Sequence, residues 1–492
     1  MSFKWTEDKY KKICIDCDLL LLSSSAKYIT VANPWLHVIR AHPIFLGPYE
    51  IIFKKKIRSY INGWLRISFC IFRLLRAVFN KNTYWAGKIP KYSDVLIISH
   101  TINLKDAGKE DDFYYGNLAQ QLEKYKIPVT VALINHTKDS SELIAEKYKD
   151  IGISHVVLKK IIGFKVELKL FLDSQIEAFR LKSNLKKELG TNLNREVIRQ
   201  AAILTRQGYS IGPLRIAEQI RILVKKLQPK VIIVTYEGHS WERLAFSVSR
   251  SVLPSITCIG YQHTTIFYLQ HALQRLLGGH YDPDVILTSG DISKQRLKLN
   301  PNLANIKIKT LGTYKSYQLQ TNYVNIKKIT CLVVPEGLDS ECFLLFNYSI
   351  KCAILMPNIE FIWRIHPIMD FKSLKNKFPL LKMIPKNITI SNQSIISDLK
   401  NVNFALYRGS SSIIQAVTFG VRPVYLKIQD EITIDPLYEV EELRESVINP
   451  DDFKLVTGRE NKNLHRLKSY CEKLYMPLDV TELIPLINSK KY

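Results

Sequence analysis

Residues 404–426 read FALYRGSSSIIQAVTFGVRPVYL, and this segment indicates the architecture of the protein. It begins with a short apolar run that predicts a buried strand over Phe404–Tyr407. A turn follows, then a helix that starts near Ser410–Ser412 and is closed by Gly420, and then a second apolar run over Val421–Leu426. A strand, a helix and a second strand in this order predict a unit of a parallel sheet wrapped by helices.

The same alternation of short apolar runs and amphipathic stretches extends from residue 94 onward. Other predicted strands are Val95–His100, Val129–Asn135, His155–Leu158, Val231–Tyr236, Thr257–Tyr261, Val285–Thr288, Thr330–Val334, Glu360–Ile365 and Ile388–Ile390. We predict an α/β protein of two Rossmann-like, doubly wound domains, residues 91–325 and 326–492, that face each other across a cleft. Charged helical patterns predict a helical insertion in the first domain over about 164–227.

The composition excludes a disordered tail or a small disulfide-stapled module, because 46% of the 492 residues are hydrophobic. Lys and Arg number 70 against 45 Asp and Glu, so the formal net charge of +25 favours a polyanionic partner. The eight cysteines show no disulfide framework, which is typical of a reducing, cytoplasmic setting. Cys14 and Cys17 form a CxxC without a second pair, so no metal site is predicted.

Residues 1–90 are predicted to form a basic, amphipathic N-terminal extension. Within them, residues 51–90 carry no Asp or Glu, and apolar residues surround the basic ones. Such a helix could lie in a membrane interface, with its cations on anionic headgroups. The predicted membrane contacts are Lys54, Lys55, Lys56, Arg58, Trp64, Arg66, Arg73 and Arg76. The alternative is a helix packed on the body with its arginines in water. A spanning helix is not predicted, and we expect a cytoplasmic protein peripheral to the inner face of the cytoplasmic membrane.

Polar residues in the first half fall directly after predicted strands, where an open parallel sheet binds its ligands. Glu237 follows the strand at 231–236 and is a candidate general base toward a hydroxyl. His263 follows the next strand and could act as acid or base. Asp112 is an alternative base. Each residue also has a purely structural interpretation. Glu237 could be a negative charge at a helix N-terminus, His263 a buried imidazole with its hydrogen bonds satisfied, and Asp112 an acid in a solvated loop.

Three groups of residues in the second half also follow predicted strands directly, and they could bind a nucleotide phosphate. Their members are Glu336, Gly337, Arg364, His366, Pro367, Arg408, Gly409, Ser410, Ser411 and Ser412. The two glycines allow close approach of the backbone, the arginines and the histidine offer charge and hydrogen bonds, and the serines open a helix N-terminus. The structural alternatives are a proline that stops a strand and serines that only cap a helix.

The ordered motifs PEG (335–337), RIHP (364–367) and RGSSS (408–412), followed by FGVRPV, resemble the nucleotide half of GT-B glycosyltransferases. Within that fold they are most similar to bacterial capsule Kdo transferases and polysialyltransferases, which use CMP-activated acidic sugars. The segment YEGHSWE (236–242) also resembles a group of surface carbohydrate biosynthesis proteins. The resemblance covers residues 94–430 and implies that His366 and Ser410–Ser412 contact the donor phosphate. It places Glu336 and Gly337 in an acidic-Gly motif, where Pro335 replaces a second acid.

We therefore predict a metal-independent glycosyltransferase that moves an acidic sugar from a CMP donor to a bacterial surface glycan such as capsule or O-antigen. Its expected partners are the nucleotide sugar, a glycan or lipid-linked acceptor and an anionic membrane, with no further cofactor. The alternatives within the fold are a CDP-glycerol-type polyol-phosphate transferase and a UDP-hexose transferase. A nucleic-acid-binding protein is the alternative outside the enzymes. It is disfavoured because no recognition motif occurs and the basic residues concentrate in an apolar-rich block.

Overall fold

The computed structural model describes residues 4–54, 59–79, 83–185, 192–316 and 328–488. Fourteen strands of the described chain form two sheets. The strands of the first sheet are β1 (Trp85–Ala86), β2 (Val95–Thr101), β3 (Val129–Asn135), β4 (Ser154–Leu158), β5 (Val231–Thr235), β6 (Thr257–Gln262), β7 (Val285–Thr288) and β8 (Lys307–Thr310). Those of the second are β9 (Thr330–Val334), β10 (Glu360–Trp363), β11 (Ile388–Ile390), β12 (Phe404–Tyr407), β13 (Arg422–Leu426) and β14 (Glu445–Val447).

Both sheets have the strand order of a Rossmann domain. The second sheet runs β11-β10-β9-β12-β13-β14, all parallel, which is the order 3-2-1-4-5-6. The first runs β1-β4-β3-β2-β5-β6-β7-β8, the same order with one more parallel strand and the short antiparallel β1 at its edge. Chain order therefore reverses between β2 and β5 in one domain and between β9 and β12 in the other. The predicted α/β architecture of two doubly wound domains is confirmed.

Helices cover both faces of each sheet. In the first domain and the segment before it they are α1 (Glu7–Leu22), α2 (Tyr28–Val31), α3 (Pro43–Leu46), α4 (Glu50–Phe53), α5 (Ser59–Val78), α6 (Leu118–Lys124), α7 (Ser141–Glu146), α8 (Phe164–Asn184), α9 (Asn192–Arg206), α10 (Ile211–Leu227), α11 (Ser240–Val252), α12 (His271–Gln274) and α13 (Asp291–Lys298). In the second they are α14 (Asp339–Leu355), α15 (Phe371–Lys377), α16 (Ile395–Leu399), α17 (Ser412–Thr418), α18 (Pro450–Thr457) and α19 (Leu464–Leu474), whereas the last helix, α20 (Ile484–Asn488), packs on the first domain. The helical insertion predicted over 164–227 corresponds to α8, α9 and α10.

The N-terminal segment is packed into the first domain. The sequence predicts residues 1–90 as an extension, but Trp5, Ile13, Cys17 and Leu36 are buried in the same apolar core as α9, α10 and one face of the first sheet. Burying an aliphatic side chain such as Ile13 or Leu36 stabilises the segment on the domain by roughly 1.5–3 kcal/mol for each one. The segment is therefore positioned firmly enough to bring polar residues to the domain edge.

The C-terminal segment crosses back to the first domain. The backbone N–H of Thr313 donates to Met476 O at 2.8 Å, and that of Asp479 donates to Leu311 O at 2.8 Å. Gly312 has φ +81°, and a Cβ there would lie 2.0 Å from Pro477 O, so only glycine lets the two segments touch. Apolar residues of α20 complete the core on the other face of the first sheet. The chain therefore passes between the domains twice.

The helix α5 contains the part of the predicted membrane contact that the structure describes. Lys55, Lys56 and Arg58 lie outside the described residues, Lys54 follows α4, and Trp64 is in α5. Within the described ranges, no helix is long and apolar enough to cross a membrane.

Candidate active site

The candidate residues cluster where the strand order reverses in each sheet. In the first domain, His100 is in β2 and Glu237 follows β5. In the second, Glu336 follows β9 and Gly409 follows β12. In each sheet, the two strands at this point continue into connections that lead to opposite sides. Their carboxyl ends therefore leave a crevice in which a ligand can bind.

The loop that carries Glu237 is held by a buried carboxylate on α11. Glu242 Oε2 accepts the backbone N–H groups of Glu237, Gly238 and His239 at 3.0, 2.8 and 2.8 Å. Three backbone bonds to one carboxylate fix the turn between β5 and α11 and so set the direction of the Glu237 side chain. As predicted, Glu237 lies just before a helix. The free N–H groups at that helix start, however, donate to the Glu242 carboxylate rather than to Glu237.

Glu237 itself is surrounded by cationic and imidazole groups. Arg40 Nη2 lies 3.7 Å from Glu237 Oε1, and His239 Nε2 lies 3.3 Å from Glu237 Oε2. Burial opposes ionisation, but Arg40, His239 and His263 outweigh it, so the pKa of Glu237 lies well below its usual range. The pKa of His239 is raised although burial opposes this, because the Glu237 carboxylate accepts its hydrogen bond. Glu237 is therefore an ionised carboxylate at the edge of the crevice.

His263 is buried next to Glu237. Burial lowers its pKa to about 4, so the imidazole is neutral at physiological pH. Its ring meets that of Tyr114 edge to face, with the centroids 4.7 Å apart. Among the described residues, its buried Nδ1 has no hydrogen-bond partner. Glu237 and His263 thus lie close enough for their charges to interact, and the unpartnered nitrogen of His263 is enclosed by the protein.

Asp112 has a different environment from the one that a base would need. Its Oδ1 accepts from Ser99 Oγ at 2.9 Å and from the backbone N–H groups of Tyr114 and Tyr115 at 2.7 and 2.9 Å. The carboxylate therefore closes an Asx turn that orients Tyr114 toward His263. This geometry gives Asp112 a positioning role in the loop, and burial raises its pKa, so its role as an alternative base stays a prediction.

Glu336, Gly337, His366 and Gly409 of the second domain lie in contact at the opposite wall of the crevice. A Cβ on Gly409 would lie 2.6 Å from the Glu336 carboxyl carbon, and one on Gly337 would lie 2.7 Å from His366 Nδ1. Both glycines thus let protein side chains lie directly on the backbone, and the predicted approach of a ligand to them stays a prediction. Burial raises the pKa of Glu336 and lowers that of His366 to about 4, so the imidazole is neutral in the unliganded protein.

Arg40 joins the two walls. Its guanidinium lies 3.7 Å from the Glu237 carboxylate and 4.0 Å from that of Glu336, and about a third of the side chain is exposed. Close by, His42 Nε2 lies 3.3 Å from Glu341 Oε1 on α14. Sequence reasoning missed Arg40, because it comes from the N-terminal segment and no motif or strand end marks it. The structure therefore places a partly free cation between the two candidate carboxylates.

The two arginines that the sequence predicts as phosphate ligands have protein partners instead. Arg364 Nη1 donates to Asp398 Oδ2 at 2.7 Å and to Gln393 O at 2.8 Å. Arg408 is 1% exposed and donates to Glu341, Glu431 and the Leu426 carbonyl. These three acceptors use three of the five N–H donors of Arg408, and burial keeps the rest of its guanidinium from a ligand. Arg364 and Arg408 therefore shape the crevice wall, and Arg40 is the arginine that faces the crevice.

The other predicted donor contacts lie around the same wall. Ser410 is buried, Ser411 precedes α17 and Ser412 begins it, so the three hydroxyls follow Gly409 directly. Pro367 is exposed after His366 and ends the extension of β10. The structure thus brings the PEG, RIHP and RGSSS motifs to one edge of the second sheet, where the guanidinium groups of Arg364 and Arg408 bind protein acceptors.

Comparisons with known proteins concern the fold. No protein-family model matches the sequence, and no curated protein matches it either. Among solved structures, a putative UDP-N-acetylglucosamine 2-epimerase from Listeria monocytogenes has a TM-score of 0.50 at 13% identity and covers 81% of this chain and 96% of its own. A kitacinnamycin glycotransferase has a TM-score of 0.47 at 12% identity, covering 81% and 100%. The glycosyltransferase SnogD from Streptomyces nogalater has a TM-score of 0.45 at 13% identity, covering 80% and 99%.

The expectation of the GT-B fold is confirmed by the topology. Two Rossmann-like domains place their strand-order reversals on opposite walls of one crevice, and the C-terminal segment returns to the first domain. The Listeria structure is similar to this chain in fold over most of its length. The chain therefore has the GT-B fold.

Proposed function

We propose that the protein is a glycosyltransferase that moves an acidic sugar from a CMP donor onto a bacterial surface glycan, with a lipid-linked acceptor at the cytoplasmic face of the membrane. The observation that carries the proposal is the position of Arg40 between Glu237 and Glu336 at the crevice. Transfer of a sugar to a hydroxyl requires a group that takes the proton of the hydroxyl and a cation that stabilises the leaving phosphate. A carboxylate, an imidazole and a guanidinium lie together at this point and can supply them. The resemblance of the PEG, HP and GSSS motifs supports the cytidine donor.

In this mechanism Glu237 accepts the proton of the acceptor hydroxyl as its oxygen attacks the anomeric carbon. The bond from that carbon to the donor phosphate breaks, and the electron pair leaves with CMP. Arg40 moves its guanidinium toward the phosphate and stabilises the developing negative charge, in place of a metal ion. Because Arg40 then no longer lowers the pKa of Glu237, burial makes the carboxylate a stronger base. Donor binding would thus activate the base.

His366 provides a separate test of the donor site. We expect His366→Ala to weaken CMP binding about tenfold, the loss of one or two hydrogen bonds, because the neutral imidazole lies against Gly337 at the predicted phosphate position. Isothermal titration calorimetry measures the affinity. His465→Ala, an exposed histidine on α19, is the matched control and should bind as the unchanged protein does. An unaltered affinity in His366→Ala would refute its assignment.

The donor class can be identified by thermal shift with CMP, CDP, UDP, GDP and dTDP. A nucleotide that binds only the folded protein raises the melting temperature, by an amount equivalent to about 2.7 kcal/mol at a hundred times its Kd. We expect CMP to give the largest shift. A shift with UDP alone would contradict the CMP donor and favour a hexose transferase. With a cytidine response, product analysis separates a glycosidic bond from the phosphodiester that a CDP-glycerol route would leave.

A further inference from the structure

The helices α5 and α8 contact each other on the outside of the first domain and leave large apolar side chains in solvent. On α5 these are Leu65, Phe69, Ile71, Phe72, Leu75 and Val78, followed by Phe79. On α8 they are Leu172, Ile176 and Phe179. Phe179 is 75% exposed and Phe79 is 89% exposed. We call these residues the α5–α8 face; a contiguous face of this kind is typical of an interaction site.

The orientation of α5 differs from the one that the sequence predicts. Arg66 stacks on the Tyr209 ring, 4.0 Å from its centroid, and Arg73 lies near the Glu167–Arg215 ion pair, where burial lowers its pKa. Two of the predicted headgroup ligands are therefore directed at the protein body. The apolar residues of the helix face outward instead, and Arg76 is exposed at its last turn.

The fully exposed charges around the α5–α8 face are basic, and the one acid of α8 that is not buried, Asp173, is only partly exposed. Glu167 and Glu177 of α8 are buried, where they pair with Arg215 and Arg180. The exposed charged residues of α8 are all lysines, namely Lys165, Lys169 and Lys182. In α5 there is no acid at all. Lys165, Lys169, Leu172, Ile176 and Phe179 follow a spacing of three and four residues, so cations and apolar groups share one stripe of the helix.

We infer that the α5–α8 face seats the protein on an anionic lipid surface, with α8 as well as α5 entering the interface. Apolar side chains enter the acyl boundary, and the lysines at one end of the stripe meet headgroup phosphates. A second copy of the chain fits less well, because two such faces would bring their basic residues together. The partner is thus identified by apolar area and by positive charge, and no sugar transfer is needed for the inference.

Vesicle co-sedimentation with the full chain tests this assignment. The protein should bind vesicles of phosphatidylcholine with phosphatidylglycerol, and bind them less in high salt. The double variants Phe72→Ser/Leu75→Ser and Ile176→Ser/Phe179→Ser should each weaken binding about tenfold or more, because apolar burial is lost. Lys165→Gln/Lys169→Gln should weaken binding to the anionic vesicles, by roughly fivefold for each lysine. Met383→Ser, which removes an exposed apolar side chain of the second domain, is the control and should bind normally.

The inference is overturned if the protein does not bind these vesicles, or if the two α8 double variants bind as well as the unchanged chain. It is also overturned if light scattering shows a dimer that the Ile176→Ser/Phe179→Ser variant dissociates. Circular dichroism melting of each variant confirms folding, which these exposed positions should not disturb. The vesicle assay contains neither the sugar donor nor the acceptor, so a negative result does not contradict the proposed sugar transfer.

Discussion

Replacing Glu237 with Gln should reduce the rate of sugar transfer by about 10²- to 10⁴-fold, the range that a positioned general base contributes. The amide has nearly the same shape and can still accept from His239, but it cannot take the acceptor proton. Donor affinity should stay the same or increase, because Arg40 loses one of its two carboxylate partners. Steady-state kinetics of CMP release and calorimetry with CMP measure the two effects separately.

The matched control for this substitution is Glu123→Gln, which makes the same change at an exposed position of α6. It should have normal kinetics. A Glu237→Gln protein with normal turnover would reject Glu237 as the base. A protein that loses donor affinity as much as rate would also contradict the role, because a base does not hold the nucleotide.

Replacing Arg40 with Met should reduce kcat/KM by about 10²- to 10³-fold, as expected for removal of one group that stabilises a leaving phosphate. Arg40→Lys keeps the charge and should lose less. The pH profile should change as well. Without Arg40, the largest of the interactions that lower the pKa of Glu237 is lost, so that pKa rises. A base works only when ionised, so the activity that the unchanged enzyme keeps down to low pH should fall off at a higher pH in Arg40→Met.

The control for Arg40 is Arg195→Met, an exposed arginine in α9, which should leave both the rate and the pH profile unchanged. The double variant Arg40→Met/Glu237→Gln should lose less activity than the product of the two single losses, because the two side chains interact. Independent effects of the two substitutions, or an acid limb that does not move, would contradict the coupling between them.

The central strands are the part of the fold that the sequence predicts most accurately. The bounds of β3 and β12 agree residue by residue with the predicted Val129–Asn135 and Phe404–Tyr407. Such strands are buried on both faces and read as continuous apolar runs. The edge strands β8 and β14 are partly exposed, and their sequences KIKT and ESV contain no such run. They take their strand conformation from the neighbour to which they hydrogen-bond.

The candidate site was predictable where a residue directly follows a strand. Glu237 and Glu336 have this property, and the structure brings both to the crevice. The partners of arginines were not predictable, because Asp398 and Glu341 lie far from Arg364 and Arg408 in sequence and only the tertiary fold brings them together. Arg40 is the opposite case, since its own surroundings in the sequence carry no strand or motif.

The double passage of the chain between the domains limits how they can move. One connection runs from Lys315 to Lys328, and the other passes Met476, whose carbonyl accepts from Thr313. Two covalent tethers between the same two domains favour rotation about a single axis. Opening by rotation about it would separate Glu237 from Glu336 and release Arg40, whereas sliding or twisting of one domain on the other would strain both tethers. Domain rotation would therefore admit a donor and then reassemble the same three groups around it.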